Sequence, residues 1–444
     1  MASVIELLRE MPGSLVAAAR SRTTREVGVV MTGNLFSAVL RFAVAALLAN
    51  YLSPSDWGFL VIFSALMDLA SIFSDSALTV TQVRMTSAYA ENRPHAVILQ
   101  CLWLRFGVSL MLALVLAAGY RLFLDTQNIP TEYGPVYPLA IAAGILISFE
   151  GIPLATLQAL QRYPAYALVA LATNLVRLLA VGGMILAGVR DATALYTAFF
   201  AAPTVALVLG LALMMRPLRR LRDRPVGRVP YQEILQFMFP LMIMNIIIIV
   251  ITRADVFMLN HMTNPEIVGV YGLAGQIAFC FPLLARALFT VLLPKVASMR
   301  TAGELRRYYR RVLSIFPLVM LATVGAVFVA PWVLWLCFGA KFAAADSVLR
   351  ILILGFGIEL IFNPLGLIFY SVGRTYYMTL IHALQLLIVI PLNLALIPAY
   401  GADGPAISLL VIRVAAVVIA VFATHRVIRQ KRQLELAEVL GATG

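Results

Sequence analysis

The sequence predicts an all-α protein that threads a membrane about twelve times. Three observations carry this: an apolar composition, hydrophobic runs of spanning length, and an uneven distribution of arginine between alternate loops. Of 444 residues, 62% are hydrophobic and 12% charged, whereas soluble domains carry about a quarter charged residues. A mean hydropathy of +0.93 excludes an ordinary soluble protein and makes the membrane span the natural unit of organisation.

Runs long enough to cross the hydrocarbon core as helices fall near residues 28–52, 58–83, 95–118, 136–157, 165–188 and 193–215, then 234–259, 267–294, 312–337, 347–370, 376–397 and 404–424. Lys295, Lys341 and Lys431 are the lysines, so arginine carries most of the formal net charge of +13. The loops on one side hold Arg20, Arg22 and Arg25, the basic run Arg216, Arg219, Arg220, Arg222, Arg224 and Arg228, then Arg306, Arg307, Arg310 and Arg311, and finally Arg426, Arg429, Lys431 and Arg432. Those on the other side hold Arg121, Arg190 and Lys341. By the positive-inside rule both termini are cytoplasmic and the chain is multi-pass in the cell's inner (cytoplasmic) membrane. The same rule assigns the basic excess to loops and not to nucleic acid. The first apolar run is too long for a cleaved signal and is expected to stay attached. Cys101, Cys280 and Cys337 lie inside apolar runs without metal-site spacing, so no metal site or other cofactor is expected.

The predicted organisation is an interfacial or cytoplasmic arm (1–27), a six-helix bundle (28–215), a basic linker (216–233), a second six-helix bundle (234–424) and a cytoplasmic tail (425–444). In the arm, Val4, Leu8, Met11 and Leu15 suit a short interfacial helix. The two bundles read as parallel repeats. The first helix exits through Asn50-Tyr51-Leu52-Ser53-Pro54 before Gly58, and the seventh through Asn260-His261-Met262-Thr263-Asn264-Pro265 before Gly269. Prolines 138, 153, 203, 240, 282, 317, 331, 364 and 391 fall within spans and are expected to bend them.

Polar groups inside the spans carry the functional reading. A charge at a helix centre costs about 2.5 to 3.5 kcal/mol on insertion scales and therefore faces protein or water. In the second span Ser64, Asp68, Ser71, Asp75, Thr79 and Gln82 recur at helical spacing and form one face. Asn34, Ser37 and Arg41 share a face of the first span, and Glu359, Asn363, Gly366 and Tyr370 one of the tenth. Arg105, Arg177, Arg253 with Asp255, Arg286 and Arg413 add further intramembrane charge, and Glu150 stands alone. Interhelical pairs that hold a bundle together account for any one of these. As a set they suit a water-filled cationic cavity in which Arg41, Arg253, Arg286, Asn34 and Ser37 bind an anion, because a guanidinium keeps its proton and grips phosphate through two parallel bonds. Asp68, Asp75, Asp255 and Glu359 are the candidates for a charge switch that responds to H+ or Na+. No catalytic constellation is evident, and His95, His261, His382 and His425 are scattered.

The segments Leu47-Leu48-Ala49-Asn50-Tyr51-Leu52-Ser53-Pro54-Ser55-Asp56-Trp57-Gly58, Ala254-Asp255-Val256-Phe257-Met258-Leu259 with Val268-Gly269-Val270-Tyr271, Phe338-Gly339-Ala340-Lys341-Phe342 with Leu349-Arg350-Ile351-Leu352, and Ile397-Pro398-Ala399-Tyr400-Gly401-Ala402-Asp403-Gly404 carry a resemblance. In order and spacing they resemble the polysaccharide transporter, or oligosaccharide flippase, family of the multidrug/oligosaccharidyl-lipid/polysaccharide (MOP) superfamily. The resemblance implies a V-shaped pair of six-helix bundles that moves polyprenyl-diphosphate-linked oligosaccharide from the inner to the outer leaflet for cell-surface polysaccharide synthesis. Its partners would be the lipid-linked sugar, membrane lipid, and the polymerase and glycosyltransferases of such a pathway. Two rivals remain. A multidrug cation antiporter of the same superfamily is disfavoured by the arginine excess, and a membrane polymerase or glycosyltransferase by the short outward loops.

Overall fold

The computed structural model describes residues 22–88, 94–219, 230–297, 299, 301–374 and 376–441. Side chains are described from 32 to 435, apart from 88–94, 220–229, 286, 287, 290, 291, 293–295, 297, 298, 300 and 375. The interfacial helix expected around Val4 to Leu15, the core of the basic linker and the side chain of Arg286 lie outside the described residues.

Among the described residues twelve segments are helical, long and apolar enough to cross a membrane, and all twelve coincide with the runs read from the sequence. In chain order the helices are α1 (Arg22–Tyr51), α2 (Pro54–Asp75), α3 (Leu78–Ala88), α4 (Pro94–Ala118), α5 (Tyr120–Thr126), α6 (Val136–Ala159), α7 (Tyr163–Leu186) and α8 (Ala192–Leu218). The second half comprises α9 (Tyr231–Met262), α10 (Pro265–Ala278), α11 (Cys280–Ala297), α12 (Ala302–Phe338), α13 (Ala345–Ser371), α14 (Tyr376–Tyr400) and α15 (Asp403–Gly441). The second span is α2 with α3 and the eighth is α10 running into α11. The residues expected as a tail from 425 continue the helix of the last span to Gly441.

Local chemistry sets the boundaries. Ser53 caps α2 by accepting the Asp56 amide at 3.1 Å, and Asn264 caps α10 by accepting the Ile267 amide at 3.0 Å. In both, proline fills the first helical position, where its missing N–H costs nothing. The two halves thus re-enter the membrane by the same device. Thr301 and Glu304 form a capping box on α12. Asp191 caps α8 through the Thr193 amide at 3.0 Å. Hydrogen bonds from the Thr193 hydroxyl and amide hold the Asp191 carboxyl below the usual carboxylate range. Pro282 offers no N–H to the carbonyl four residues back, and the helix is interrupted at Phe279. The break between α2 and α3 has a different cause. Ser76 and Ala77 adopt left-handed φ values of 45° and 62°, a conformation that costs non-glycine residues about 1 kcal/mol or more each.

The halves meet chiefly through α2 against α10, supported by α9 on α2. At the Pro54/Pro265 end their backbones are in close contact. A Cβ on Gly58 would collide with the Pro265 carbonyl, and one on Gly269 would stand 2.7 Å from the Pro54 oxygen. This reciprocity is what a pseudo-two-fold axis between repeats demands. The Trp57 indole donates to the Gly269 carbonyl at 3.0 Å. The Asn260 amide reaches the Gln127 carbonyl at 2.6 Å. Lys341 donates to the Ala49, Asn50 and Leu52 carbonyls, the first two at 2.7 and 3.2 Å. One continuous apolar core spans both halves at this closed end. Toward the arginine-rich end the core splits into separate clusters, two of them within the second half and one within the first. There, among the described residues, the halves touch where Ile234 of α9 packs with Met85, Val97 and Cys101 and where Arg84 lies 4.1 Å over the Phe237 ring. The bundles are closed at one end and parted toward the other.

Candidate functional site

Between the halves lies a cavity of about 1080 Å³, bounded beneath the closed end by Leu48, Trp57 and Leu60 and extending to Asn34, Phe289 and Asn363. Its first-half wall carries Arg41 on α1, Ser64, Asp68 and Ser71 on α2, Glu150 on α6, and Thr173, Asn174 and Arg177 on α7. The facing wall carries Arg253 and Asp255 on α9, Tyr271 on α10, Glu359 and Asn363 on α13, and Arg413 on α15.

Contacts cross the cavity from half to half. Arg253 forms an ion pair with Asp68 at 2.5 Å, with side chains 31% and 29% exposed. Arg41 lies 4.7 Å over the ring of Phe279. These are pseudo-equivalent: a residue of the first span of each half bears on the second span of the other. Arg177 stacks 4.2 Å over Phe199 and donates to the Phe199 carbonyl at 3.1 Å. Two guanidiniums, those of Arg41 and Arg177, therefore line the first-half wall together with the carboxylates of Asp68 and Glu150. Arg413 pairs with Glu359 and lies 4.0 Å over Phe356. Asp255 is 3% exposed and accepts from the Tyr271 hydroxyl and from the Val256 amide at 2.8 Å. Glu150 accepts from the Thr173 hydroxyl at 2.9 Å.

The structure brings together Asn34, Arg41, Asp68, Arg253, Asp255 and Glu359 from the expected set, but not Ser37 or Asp75. Ser37 ties α1 to α7, donating to the Ala170 carbonyl at 3.2 Å and accepting from Asn174 at 2.8 Å. Asp75 faces away from the cavity into the first half. There it pairs with the fully buried Arg105 at 2.6 Å and accepts the Thr79 hydroxyl and amide. The stripe expected along the second span is thus divided: Ser64, Asp68 and Ser71 face the cavity, whereas Asp75, Thr79 and Gln82 are bonded within the first half.

A second correction concerns charge. Among the described lining residues Arg41, Arg177, Arg253 and Arg413 face Asp68, Glu150, Asp255 and Glu359. The wall is balanced when all are ionised, not cationic as expected. Arg177, Arg413, Thr173 and Tyr271 were not among the expected binding residues. The i, i+4 spacing of Thr173 and Arg177 marks a polar face in an otherwise apolar span and is the signal that finds them. Glu150 comes to the same wall by tertiary packing, which leaves no local trace.

The sequence model of the family described as polysaccharide biosynthesis protein matches residues 23–300, more than half of the chain. Among curated proteins, none matches in sequence. Among solved structures, the lipid II flippase MurJ in an inward closed conformation aligns with a TM-score of 0.70 at 14% identity, covering 93% of this chain and 92% of that one. An inward-facing multidrug resistance MATE family transporter of the MOP superfamily aligns with a TM-score of 0.73 at 13% identity, covering 89% and 96%. The Vibrio cholerae MATE transporter VcmN aligns with a TM-score of 0.64 at 15% identity, covering 92% and 96%. These likenesses establish the fold. With twelve spanning segments in two halves around a charged central cavity, and with the family match over its first two thirds, the chain belongs to the polysaccharide biosynthesis protein family.

Proposed function

We propose that the protein is a flippase that carries a polyprenyl-diphosphate-linked oligosaccharide from the inner to the outer leaflet by alternating access, its headgroup passing through the cavity while the lipid tail stays in the bilayer. The observation that carries this reading is the placement of Arg41 and Arg177 on one wall of the cavity, facing Arg253 and Arg413 on the other. A guanidinium keeps its charge and grips a phosphate through two parallel bonds once the carboxylate beside it is displaced or neutralised, and a diphosphate offers two phosphates. The volume also suits the cargo. At about 1080 Å³ it lies at the upper end of the roughly 300 to 1,000 Å³ range of small-molecule sites, which leaves room for sugar rings beside a diphosphate.

The other arginines supply capture and release. Arg253 is engaged by Asp68 across the halves. A diphosphate that takes Arg253 releases Asp68, and an ionised Asp68 that reclaims Arg253 expels the cargo. Protonation or cation binding at Asp68, Asp255 or Glu359 then biases occupancy, which is how H+ or Na+ would be coupled to transport. Outward movement of two negative charges is favoured by an inside-negative potential by about 2.3 kcal/mol per charge per 100 mV. In this reading both termini are cytoplasmic, the membrane is the inner one, glycosyltransferases build the cargo inside, and a polymerase consumes it outside.

Replacing Arg41, Arg177 or Arg253 by Ala should reduce translocation of lipid-linked sugar in proteoliposomes by at least tenfold with the protein still folded. Lys should rescue poorly, because an ammonium lacks the bidentate fork. Normal flipping in all three Ala variants would remove the diphosphate role from this wall.

A further inference from the structure

Behind the second-half wall lies an alcove of about 80 Å³ between α9, α13, α14 and α15. Thr252, Glu359 and Arg413 line both the alcove and the main cavity, so the two spaces adjoin across these side chains, whereas His382, Gln385 and Phe362 belong to the alcove alone. Nothing in the diphosphate chemistry uses His382 or Gln385. An apolar bundle gains nothing by placing an imidazole, an amide and a carboxylate together, since each costs desolvation unless it is bonded.

Their bonds fix what the alcove offers. The Gln385 amide nitrogen donates to the Ile412 carbonyl at 3.4 Å. Its oxygen therefore faces His382 Nδ1, 2.8 Å away, and can only accept. The proton of the imidazole is thereby assigned to Nδ1, which leaves Nε2 as an acceptor. Glu359 spends Oε2 on Arg413, and its Oε1 makes no hydrogen bond among the described residues. The Glu359–Arg413 pair cancels its own charge. The alcove thus presents the His382 Nε2 and Glu359 Oε1 acceptors beside the remaining N–H donors of Arg413, with no net charge and with the Phe362 ring standing edge-on to the imidazole at 6.0 Å as an apolar wall. A neutral hydroxyl, donor and acceptor at once, matches that set, whereas a phosphate meets the Glu359 carboxylate. At about 80 Å³ the alcove is far smaller than the roughly 300 to 1,000 Å³ of a site that encloses a whole small molecule, and it suits a side arm such as a hydroxymethyl group.

We infer that the alcove is a sugar-reading subsite: it receives the exocyclic hydroxymethyl group of a headgroup sugar, with His382 and Gln385 as the specificity-determining pair. The inference rests on the flippase reading, since it takes the diphosphate to be held on the opposite wall. It adds discrimination, because a pocket built to accept a hydrogen bond leaves its acceptors unpaired when the hydroxyl is missing.

The test uses the full-length protein in nanodiscs and three synthetic probes: a polyprenyl diphosphate carrying glucose, the same lipid carrying 6-deoxyglucose, and the sugar-free lipid. The wild type should bind the glucose lipid about tenfold more tightly than the 6-deoxy lipid, which is 1.4 kcal/mol. In Gln385→Leu and His382→Phe that ratio should fall to about one. The conservative Gln385→Asn and His382→Gln variants should keep part of it, so that a folding defect in the first pair does not leave the question open. A wild-type ratio near one, or a ratio retained in every variant, would overturn the inference. So would a sodium-dependent rise in melting temperature lost in the same variants without any sugar preference, which would make the alcove a cation site. Failure of the wild type to bind even the sugar-free lipid would refute the diphosphate reading alone. The alcove is then judged by whether free glucose, and not 6-deoxyglucose, raises the melting temperature.

Discussion

Lys341 holds the closed end shut, and its removal should shift the conformational equilibrium by a calculable amount. The short 3₁₀ turn Gly339–Phe342 of the second half carries the ammonium to the C-terminal end of α1 in the first half. There it donates to the Ala49 carbonyl at 2.7 Å, to Asn50 at 3.2 Å, and to Leu52. These carbonyls at the end of α1 lack partners within the helix and carry the negative end of its dipole, so a cation is favoured there. Asn50 reinforces the contact by donating to the Cys337 carbonyl at 2.9 Å. A hydrogen bond from a charged group contributes about 1.5 to 3 kcal/mol net. Discounted for a partly exposed site, the three together are worth about 2 to 3 kcal/mol to the closed state, a population factor of roughly 30 to 150. Lys341→Met keeps the stem and removes the donors. Spin labels at Arg190→Cys and Glu266→Cys, with Cys101, Cys280 and Cys337 replaced by Ala, report the separation of the halves at this end. The parent should show one short distance. The Lys341→Met variant should show a second, longer population, and Lys341→Arg should restore the first. An unchanged distribution in Lys341→Met would refute the latch and the energetic reasoning with it.

Other outcomes follow from the same geometry. Arg105→Ala removes a fully buried side chain and leaves the half-buried Asp75 without its counter-ion, and should lower stability by about 2 to 3 kcal/mol in chemical denaturation. Asp75→Asn should cost less, and folded Asp75→Asn protein should still flip cargo, because the pair lies off the cavity. Gly58→Val drives a side chain into the Pro265 carbonyl across the halves and should disfavour the closed end by about 1 to 3 kcal/mol, read by the same spin labels. Asp191→Ala should destabilise α8 by about 1 kcal/mol at neutral pH. Because the folded carboxyl titrates below its ordinary value of 3.8, the difference from the parent is present above that pH and disappears as the pH falls through the lowered folded value. Reporter fusions after Arg219 and Arg432 should read cytoplasmic, and one at Gln127 external.

Much of this architecture was legible in the sequence, for identifiable reasons. Spans announce themselves because each needs about twenty apolar residues in succession, a signal that depends on no other part of the chain. The repeat was legible at Ser53-Pro54 and Asn264-Pro265 because capping is a local act, and Gly58 and Gly269 echo each other because both sit where two backbones touch. Thr79 and Gln82 leave the stripe because it assumes an unbroken helix, whereas Asp75 ends α2 in register and is held off the cavity by its partners in the first half. The chain enters a left-handed turn at Ser76 and Ala77, where neither glycine nor proline gives warning, and the carboxylate turns to Thr79 and Arg105. Partnership was the least legible feature. That Arg253 meets Asp68, that Arg41 meets Phe279, and that Glu150 joins Arg177 on one wall depends on helices far apart in the chain. The arginines were visible in the sequence, but the carboxylates that balance them were assigned to a switch, and only the fold puts the two sets in one space.

The central claim, that this cavity carries a diphosphate-linked sugar across the bilayer, is tested most directly by one measurement on the wild-type protein. Proteoliposomes loaded with polyprenyl-diphosphate oligosaccharide are treated with an external glycosidase, and the fraction of headgroup that becomes accessible is followed in time with the protein present and absent. The account predicts rapid exposure of the protected inner-leaflet pool with the wild type, and exposure close to the protein-free rate with an Arg41→Ala/Arg177→Ala double variant that retains its fold. A wild-type rate equal to that of protein-free liposomes, together with extrusion of a permeant organic cation by the same vesicles, would contradict it and assign the cavity to cation export.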